Sequence, residues 1–195
     1  MLNQKILDHL YTNMRWSDKE IGIFFGVDRT AVVHLRKKYC IKTRKSTGEI
    51  GEEFVIKQLE KLGHQVLNLN DKDKTAPYDL LVDAQTRIDV KTAKELNNRF
   101  TFSLTDREKV ACIESDHRIR LANKRTKKLF RKTCDYLVLV GMRGNEIVSF
   151  IVPSVDLPDS LQNITILTNP ASNNKYMIYK EKWDLLKKKP SCANN

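Results

Sequence analysis

The sequence predicts an α/β domain, with a mixed β-sheet flanked by helices, preceded by a small all-helical domain. Three observations lead to this. Residues 1–38 read as successive helical segments. An amphipathic helix at 47–62 leads into β-like runs at 65–69, 78–82 and 86–91. A second pair of apolar runs, 135–140 and 147–152, flanks a turn. A chain of 195 residues accommodates one medium domain and one small one. The expected boundaries are 1–45 and 46–190, with 191–195 as a disordered tail.

Residues 2–13 have helical spacing, with Ile6, Leu7 and Leu10 on one stripe. Ser17-Asp18-Lys19-Glu20 is a capping-box pattern at a helix start. Ile21, Phe24 and Phe25 follow at helical spacing, and Gly26 is a stop signal. Asp28 is placed to cap a third helix through Lys38, whose apolar positions are Val32, Val33 and Leu35. Helix, tight turn with glycine and basic helix together resemble a helix-turn-helix DNA-binding unit. The resemblance implies that the second helix enters the major groove, with Arg29, Thr30 and His34 near base edges. Arg36, Lys37 and Lys38 would then meet phosphates. A helical hairpin used only for packing or dimer contact is the alternative, which the basic tail of the helix disfavours. The connection 42–46, with Arg44 and Lys45, is short, basic and suited to a phosphate backbone.

The next helix starts at a second capping-box pattern, Ser46 with Glu49, and ends at Gly63. Val55, Ile56, Leu59 and Leu62 form its apolar stripe. Glu52 lies three, four and seven residues before the first three of these, hence on the same face. A carboxylate heading an apolar stripe is costly without a partner. Val66, Leu67 and Leu69 mark a first strand. The loop 70–76 holds Asp71 and Asp73, which read as solvated. Two runs then flank the turn Asp83-Ala84-Gln85. Side chains alternate along a strand, so Ile88 and Val90 share one face of the second run while Asp89 and Lys91 share the other. A hairpin brings Asp79 beside Asp89. Two carboxylates so close repel unless something positive lies between them, and a hard divalent cation suits their oxygens.

Asp79, the hairpin and Asp89-Val90-Lys91 resemble the PD-(D/E)XK nuclease superfamily, an acidic residue followed by acid-x-Lys. The resemblance covers residues 46–104 best. Pro77 lies one residue further from Asp79 than is usual there, and Asp89 stands where many members carry glutamate. The family also places a glutamate on the preceding helix, in the style of junction-resolvase-type members; Glu52 is the first choice for it and Glu49 the second. The resemblance implies a restriction-endonuclease-like core. It implies Mg2+, with Mn2+ as the alternative, held by Asp79, Asp89, the Val90 carbonyl and Glu52. Lys91 would orient or help deprotonate the attacking water and stabilise the transition state.

The composition agrees with a nucleic-acid enzyme. Formal net charge is +11 and the pI is near 9.5, which predicts an anionic partner. The charge is uneven: net +6 over 1–46, −2 over 47–100, +6 over 101–134 and +1 over 135–195. An acidic island between basic flanks suits a cation site on DNA. Residues 105–132 read as a charged helix or mobile loop, with Lys124, Arg125, Lys127, Lys128, Arg131 and Lys132 as phosphate contacts. Residues 100–104 read as a strand with Phe100, Phe102 and Leu104 on one face. The second hairpin is expected to turn at 141–145, and the segments around Tyr176 and Trp183 to close over the core. No apolar run approaches a membrane span and the N-terminus does not read as a signal peptide. Cys40, Cys112, Cys134 and Cys192 are scattered, without zinc-site spacing, as reduced thiols in a cytosolic protein. A cytoplasmic, nucleoid-associated protein acting on double-stranded DNA is expected. Cutting both strands takes two sites or two events, which makes a homodimer plausible. The leading function is a sequence-specific endonuclease of restriction or homing type. The alternatives are a structure-specific nuclease such as a Holliday junction resolvase, and a non-catalytic DNA-binding regulator.

Overall fold

The structure, a computed structural model, describes residues 2–70, 76–106, 116–169 and 174–186. Its two units are residues 1–46 and residues 47–195. Asp71, Asp73, Cys112, Cys192 and the tail 191–195 lie outside the described residues.

In the first unit, α1 (Gln4–Asp8) starts on Asn3, whose side chain accepts from the Ile6 N–H at 3.0 Å. It widens into a π-helical turn, His9–Asn13. Ser17 heads α2 (Asp18–Phe25) with a complete capping box: Ser17 Oγ accepts from the Glu20 N–H, and the Glu20 carboxylate accepts from the Ser17 N–H. Gly26 ends the helix with φ of 65°, a conformation open to a residue without Cβ. Asp28 caps α3 (Arg29–Lys38) by accepting from the Thr30 N–H. Leu7, Tyr11, Ile21 and Val32 form the core, with Phe25 and Leu35 against it. Phe24, placed on the apolar stripe by its spacing, is 67% exposed and packs edge-on against Trp16 and Phe25.

Two arginines hold this unit together. The Arg36 guanidinium is buried, donating to Asp18 through Nε at 2.6 Å and Nη2 at 2.8 Å. It stacks on the Tyr11 ring at 4.1 Å, and Arg44 stacks on that ring at 4.3 Å while donating to the Trp16 carbonyl. Both were expected on phosphate from their place in basic runs. A planar fork that pairs with a carboxylate and stacks on an aromatic ring finds a better partner inside the unit. Arg36→Ala, by leaving Asp18 as an almost buried lone charge, should destabilise this unit by about 3 kcal/mol. Faster hydrogen exchange of the α2 and α3 amides would register the loss.

The second unit begins with α4 (Thr47–Lys61), followed by β1 (Val66–Asn68), β2 (Leu80–Val82) and β3 (Thr86–Lys94). After a crossover come β8 (Tyr136–Arg143) and β9 (Glu146–Pro153), giving a five-stranded sheet in the order β1-β2-β3-β8-β9. Only β3 and β8 pair in parallel, so the sheet is mixed. Alternation along β8 divides the core in two. Val138 and Val140 join Ile88 and Val90 beneath Val55 and Leu59 of α4. Leu137 and Leu139 face Phe100, Phe102, Ile164 and Ile166. These last belong to the antiparallel pair β4 (Arg99–Ser103) and β10 (Asn163–Leu167). A bidentate pair between Arg87 and Asp135, with Nη2 to Oδ1 at 2.8 Å and Nε to Oδ2 at 3.2 Å, fixes the start of β3 to the start of β8.

The crossover differs from its expected form. Where a helix or loop was predicted, it carries β5 (Thr105–Asp106), β6 (Arg118–Arg120) and β7 (Thr126–Lys128), a small sheet in the order β5-β7-β6, then α5 (Phe130–Thr133). These strands are two or three residues long and rich in charge, so they show no apolar alternation. β10 was not anticipated. β8 runs through the predicted turn as far as Arg143, and Gly144-Asn145 alone makes the hairpin. Gly141 lies within the strand, and its lack of a Cβ makes room for the Phe100 ring, which lies 2.8 Å from where a Cβ would stand. Leu62 is exposed. Tyr176 joins the core and Trp183 packs on Phe54, their ring centroids 6.4 Å apart. No described helix is long and apolar enough to cross a membrane.

Candidate active site

The site forms where β2 stops short of its partner. The Asp79 N–H donates to the Ile88 carbonyl at 3.0 Å, the last backbone bond of that ladder. The Asp79 side chain then takes the next place, its Oδ2 accepting from the Val90 N–H at 2.7 Å. Its Oδ1 accepts from Asn70 Nδ2 at 3.2 Å. One residue either side of Val90, β3 turns Asp89 and Lys91 to the sheet face opposite α4. Asp89 is fully buried, and Lys91 Nζ donates to its Oδ1 at 2.5 Å. Lys128, from β7, donates to Oδ2 of the same carboxylate. Glu52 comes from α4, half-buried and bonded to the Asn70 side chain. Its placement depends on Gly51, which lets the helix backbone rest on Thr92 of β3.

The charges are coupled. Burial raises the Asp79 carboxyl, and Asp89 raises it further. Burial likewise raises Glu52, with repulsion from Asp79 adding to it. Burial would also raise Asp89, but Lys91 and Lys128 outweigh it and hold Asp89 below the ordinary range. Burial opposes the Lys91 charge, yet Asp89 and Asp79 raise Lys91 above its ordinary value. The nearby Cys134 thiol is pushed up to about 11 by burial and by Asp89, so it is an inert core group.

Among the described residues, no three His, Cys, Asp or Glu side chains stand close enough together to hold a metal ion. The donors are nonetheless hard oxygens, and Glu52 and Asp79 share surplus negative charge that a cation would relieve. The set fits a hard divalent cation in kind. Its arrangement is incomplete while both Asp89 oxygens hold ammonium groups.

Glu52 and Asp79 have folded-state pKa values above their unfolded ones. Such groups cost nothing below the unfolded value and destabilise once pH exceeds the folded value. Stability of cation-free protein should therefore fall as pH rises through that window, and Glu52→Gln should flatten the fall. Urea midpoints across pH in chelator test this; an unchanged slope would sink it. Asp89 acts in the opposite sense, its stabilisation being lost as pH falls through its lowered pKa.

Glu52, Asp79, Val90, Asp89 and Lys91 thus gather at one place. The predicted DNA contacts divide. Arg29, Thr30, His34, Lys37 and Lys38 are exposed on α3, although the Thr30 hydroxyl is engaged with the Asp28 cap. Lys45, Lys124 and Lys132 are exposed. Arg125 donates to Ser103 Oγ and the Thr105 carbonyl, and Arg131 to the Leu157 carbonyl at 2.9 Å. Lys127, expected on phosphate, is 2% exposed and donates to the Pro158 and Asp159 carbonyls. Lys128 lies inside the site rather than on a basic face. Asn70, which bridges Glu52 and Asp79, had no signal of its own in a polar loop.

No protein-family model matches the sequence, and no curated protein matches it. Among solved structures, the chain is similar to the bacterial homing endonuclease I-Ssp6803I, with a TM-score of 0.54 and 16% identity over 72% of this chain and 90% of that one. A Holliday junction resolvase of Archaeoglobus fulgidus, Hjc, also matches, at a TM-score of 0.35 and 12% identity over 63% of this chain and 84% of that one. The chain thus has a mixed α/β fold, a five-stranded mixed sheet with flanking helices, similar to the fold of that homing endonuclease.

Proposed function

We propose that this chain is a metal-dependent DNA endonuclease of PD-(D/E)XK type that recognises a sequence in duplex DNA. The observation that carries the reading is the convergence of Asp79, Asp89 and Lys91 at the start of β2, with Glu52 brought to them by α4. The likeness in fold to a homing endonuclease supports it. Asp79, Asp89, the Val90 carbonyl and Glu52 would hold Mg2+ or Mn2+, which supplies a more acidic water and neutralises charge on the scissile phosphate. Lys91 is kept protonated by Asp89 and Asp79. Its part would be to orient or help deprotonate the attacking water and to stabilise the charge that builds on the phosphoryl oxygens. The unit of residues 1–46 acts as a helix-turn-helix reader. It presents Arg29 and His34 toward base edges and Lys37 and Lys38 toward phosphates, while Arg36 keeps α3 in place from inside.

Incubation of mixed plasmid and genomic DNA with the protein and Mg2+, against the same mixture in chelator, tests the reading. Discrete fragments formed only with Mg2+ are expected. Cleavage confined to four-way junctions would replace sequence recognition by junction resolution. Salt-sensitive binding without cleavage of duplex or branched DNA, in Mg2+ or Mn2+, would overturn the enzyme.

A further inference from the structure

Each oxygen of the buried Asp89 carboxylate holds a lysine, but the two lysines are differently bound to the fold. Lys91 stands two residues along the same strand, its Nζ 5.9 Å above the Phe130 ring. Lys128 reaches Asp89 from another sheet. Its backbone is fixed: Lys127 is anchored on the Pro158 and Asp159 carbonyls, and the Leu129 N–H donates to the His117 carbonyl at 2.9 Å. Its side chain keeps an opening to solvent, at 15% exposed against 30% for Lys91, and unlike Lys91 it is not carried by the strand that bears Asp89. A lysine stem is long and rotatable, and its ammonium can follow an anion toward solvent. A cation cannot take Asp89 Oδ2 as ligand while that ammonium is on it.

On the reading that this is a DNA-cleaving site, we propose that Lys128 is an exchanging lysine. It holds Asp89 Oδ2 in the free protein and transfers to a DNA phosphate when substrate arrives, freeing that oxygen for the divalent cation. Phosphate and cation then enter together, and each raises the affinity for the other by the same factor. The free protein is thereby kept poor in bound metal, and metal loading becomes conditional on DNA.

The test is Mn2+ binding to the full chain without DNA, followed by the electron paramagnetic resonance of free Mn2+. Lys128→Met should bind Mn2+ at least about tenfold more tightly than wild type, since the competing state is removed. Lys132→Ala, an exposed neighbour in the same basic stretch, should not. Adding Asp89→Asn to Lys128→Met should abolish the gain. Lys128→Gln serves the same comparison if the methionine variant folds poorly. Equal Mn2+ affinity in wild type and the Lys128 variants would overturn the exchange. The binding result is separable from cleavage. A gain through Asp89 in a protein that cuts no DNA keeps the exchange and removes the nuclease reading. Cleavage by wild type with no gain in Lys128→Met does the reverse.

Discussion

Alanine at Lys91 should lower the single-turnover rate of DNA cleavage by about 10²- to 10³-fold, with duplex affinity almost unchanged. The reason is the division of labour around Asp89. Lys128 still neutralises Asp89 when Lys91 is gone, so the buried carboxylate keeps one partner and the fold survives. What is lost is a protonated group at the point where phosphoryl charge accumulates, and that loss appears only in the transition state. The affinity for duplex DNA should be set elsewhere, by exposed cations such as Lys37, Lys38 and Lys132. Lys91→Arg should not restore the rate, because a planar fork does not fit a place shaped for a point charge beside Phe130. The measurement is the cleavage rate at saturating protein with Mg2+, beside a binding isotherm in chelator. A Lys91→Ala rate within about threefold of wild type, a barrier change under 1 kcal/mol, would remove Lys91 from the chemistry.

A change that acts on structure and site together is expected at Gly51. A Cβ there would stand 2.9 Å from Thr92 Cβ and closer still to Thr92 Oγ1. No rotamer of an added side chain relieves this, since the clash is made by the Cβ itself. Gly51→Val must lift α4 from β3. Overpacking of this kind costs about 1–3 kcal/mol, read as a lower urea midpoint at unchanged slope. The same displacement moves Glu52 from Asn70 and Asp79, and a shift of ~1 Å in a positioned group can remove about 10²-fold in rate. Thr92 offers an internal control, because its hydroxyl has no hydrogen-bond partner. Thr92→Ala should cost little alone and return part of the stability lost in Gly51→Ala, a coupling that a double-mutant cycle measures. Additive effects at the two positions would show that the helix does not bear on the strand there.

Those two residues also show what a sequence can and cannot announce. Lys91 was legible because strands alternate, so acid-x-Lys between apolar positions declares its own face. Glu52 was legible because an acid heading an apolar stripe asks for a partner. The importance of Gly51 was not legible, since a glycine beside another helix residue gives no hint of the strand it touches. Charged interiors were the main blind spot. Arg36 with Asp18, and Lys128 with Asp89, meet only through the tertiary fold. A lysine in a basic run reads the same whether it faces solvent or a buried carboxylate. β10 did carry a signal, Ile164 and Ile166 alternating with Asn163 and Thr165, but it lies among Pro, Asn and Ser residues that suggest a loop.

The parallel pairing of β3 with β8 has a consequence for the order in which the chain assembles. Parallel neighbours need a long connection, and here it is the whole of residues 95–135. The hairpin of β2 and β3 closes locally, so Asp79, Asp89 and Lys91 meet early, while closure of a long loop is slower. Lys128 lies within that loop. During folding, therefore, two carboxylates face each other with a single ammonium between them until the crossover docks. Completion of the charge balance and completion of the sheet are one late event, so a nascent chain holds an anionic, unfinished site for as long as β8 is unpaired.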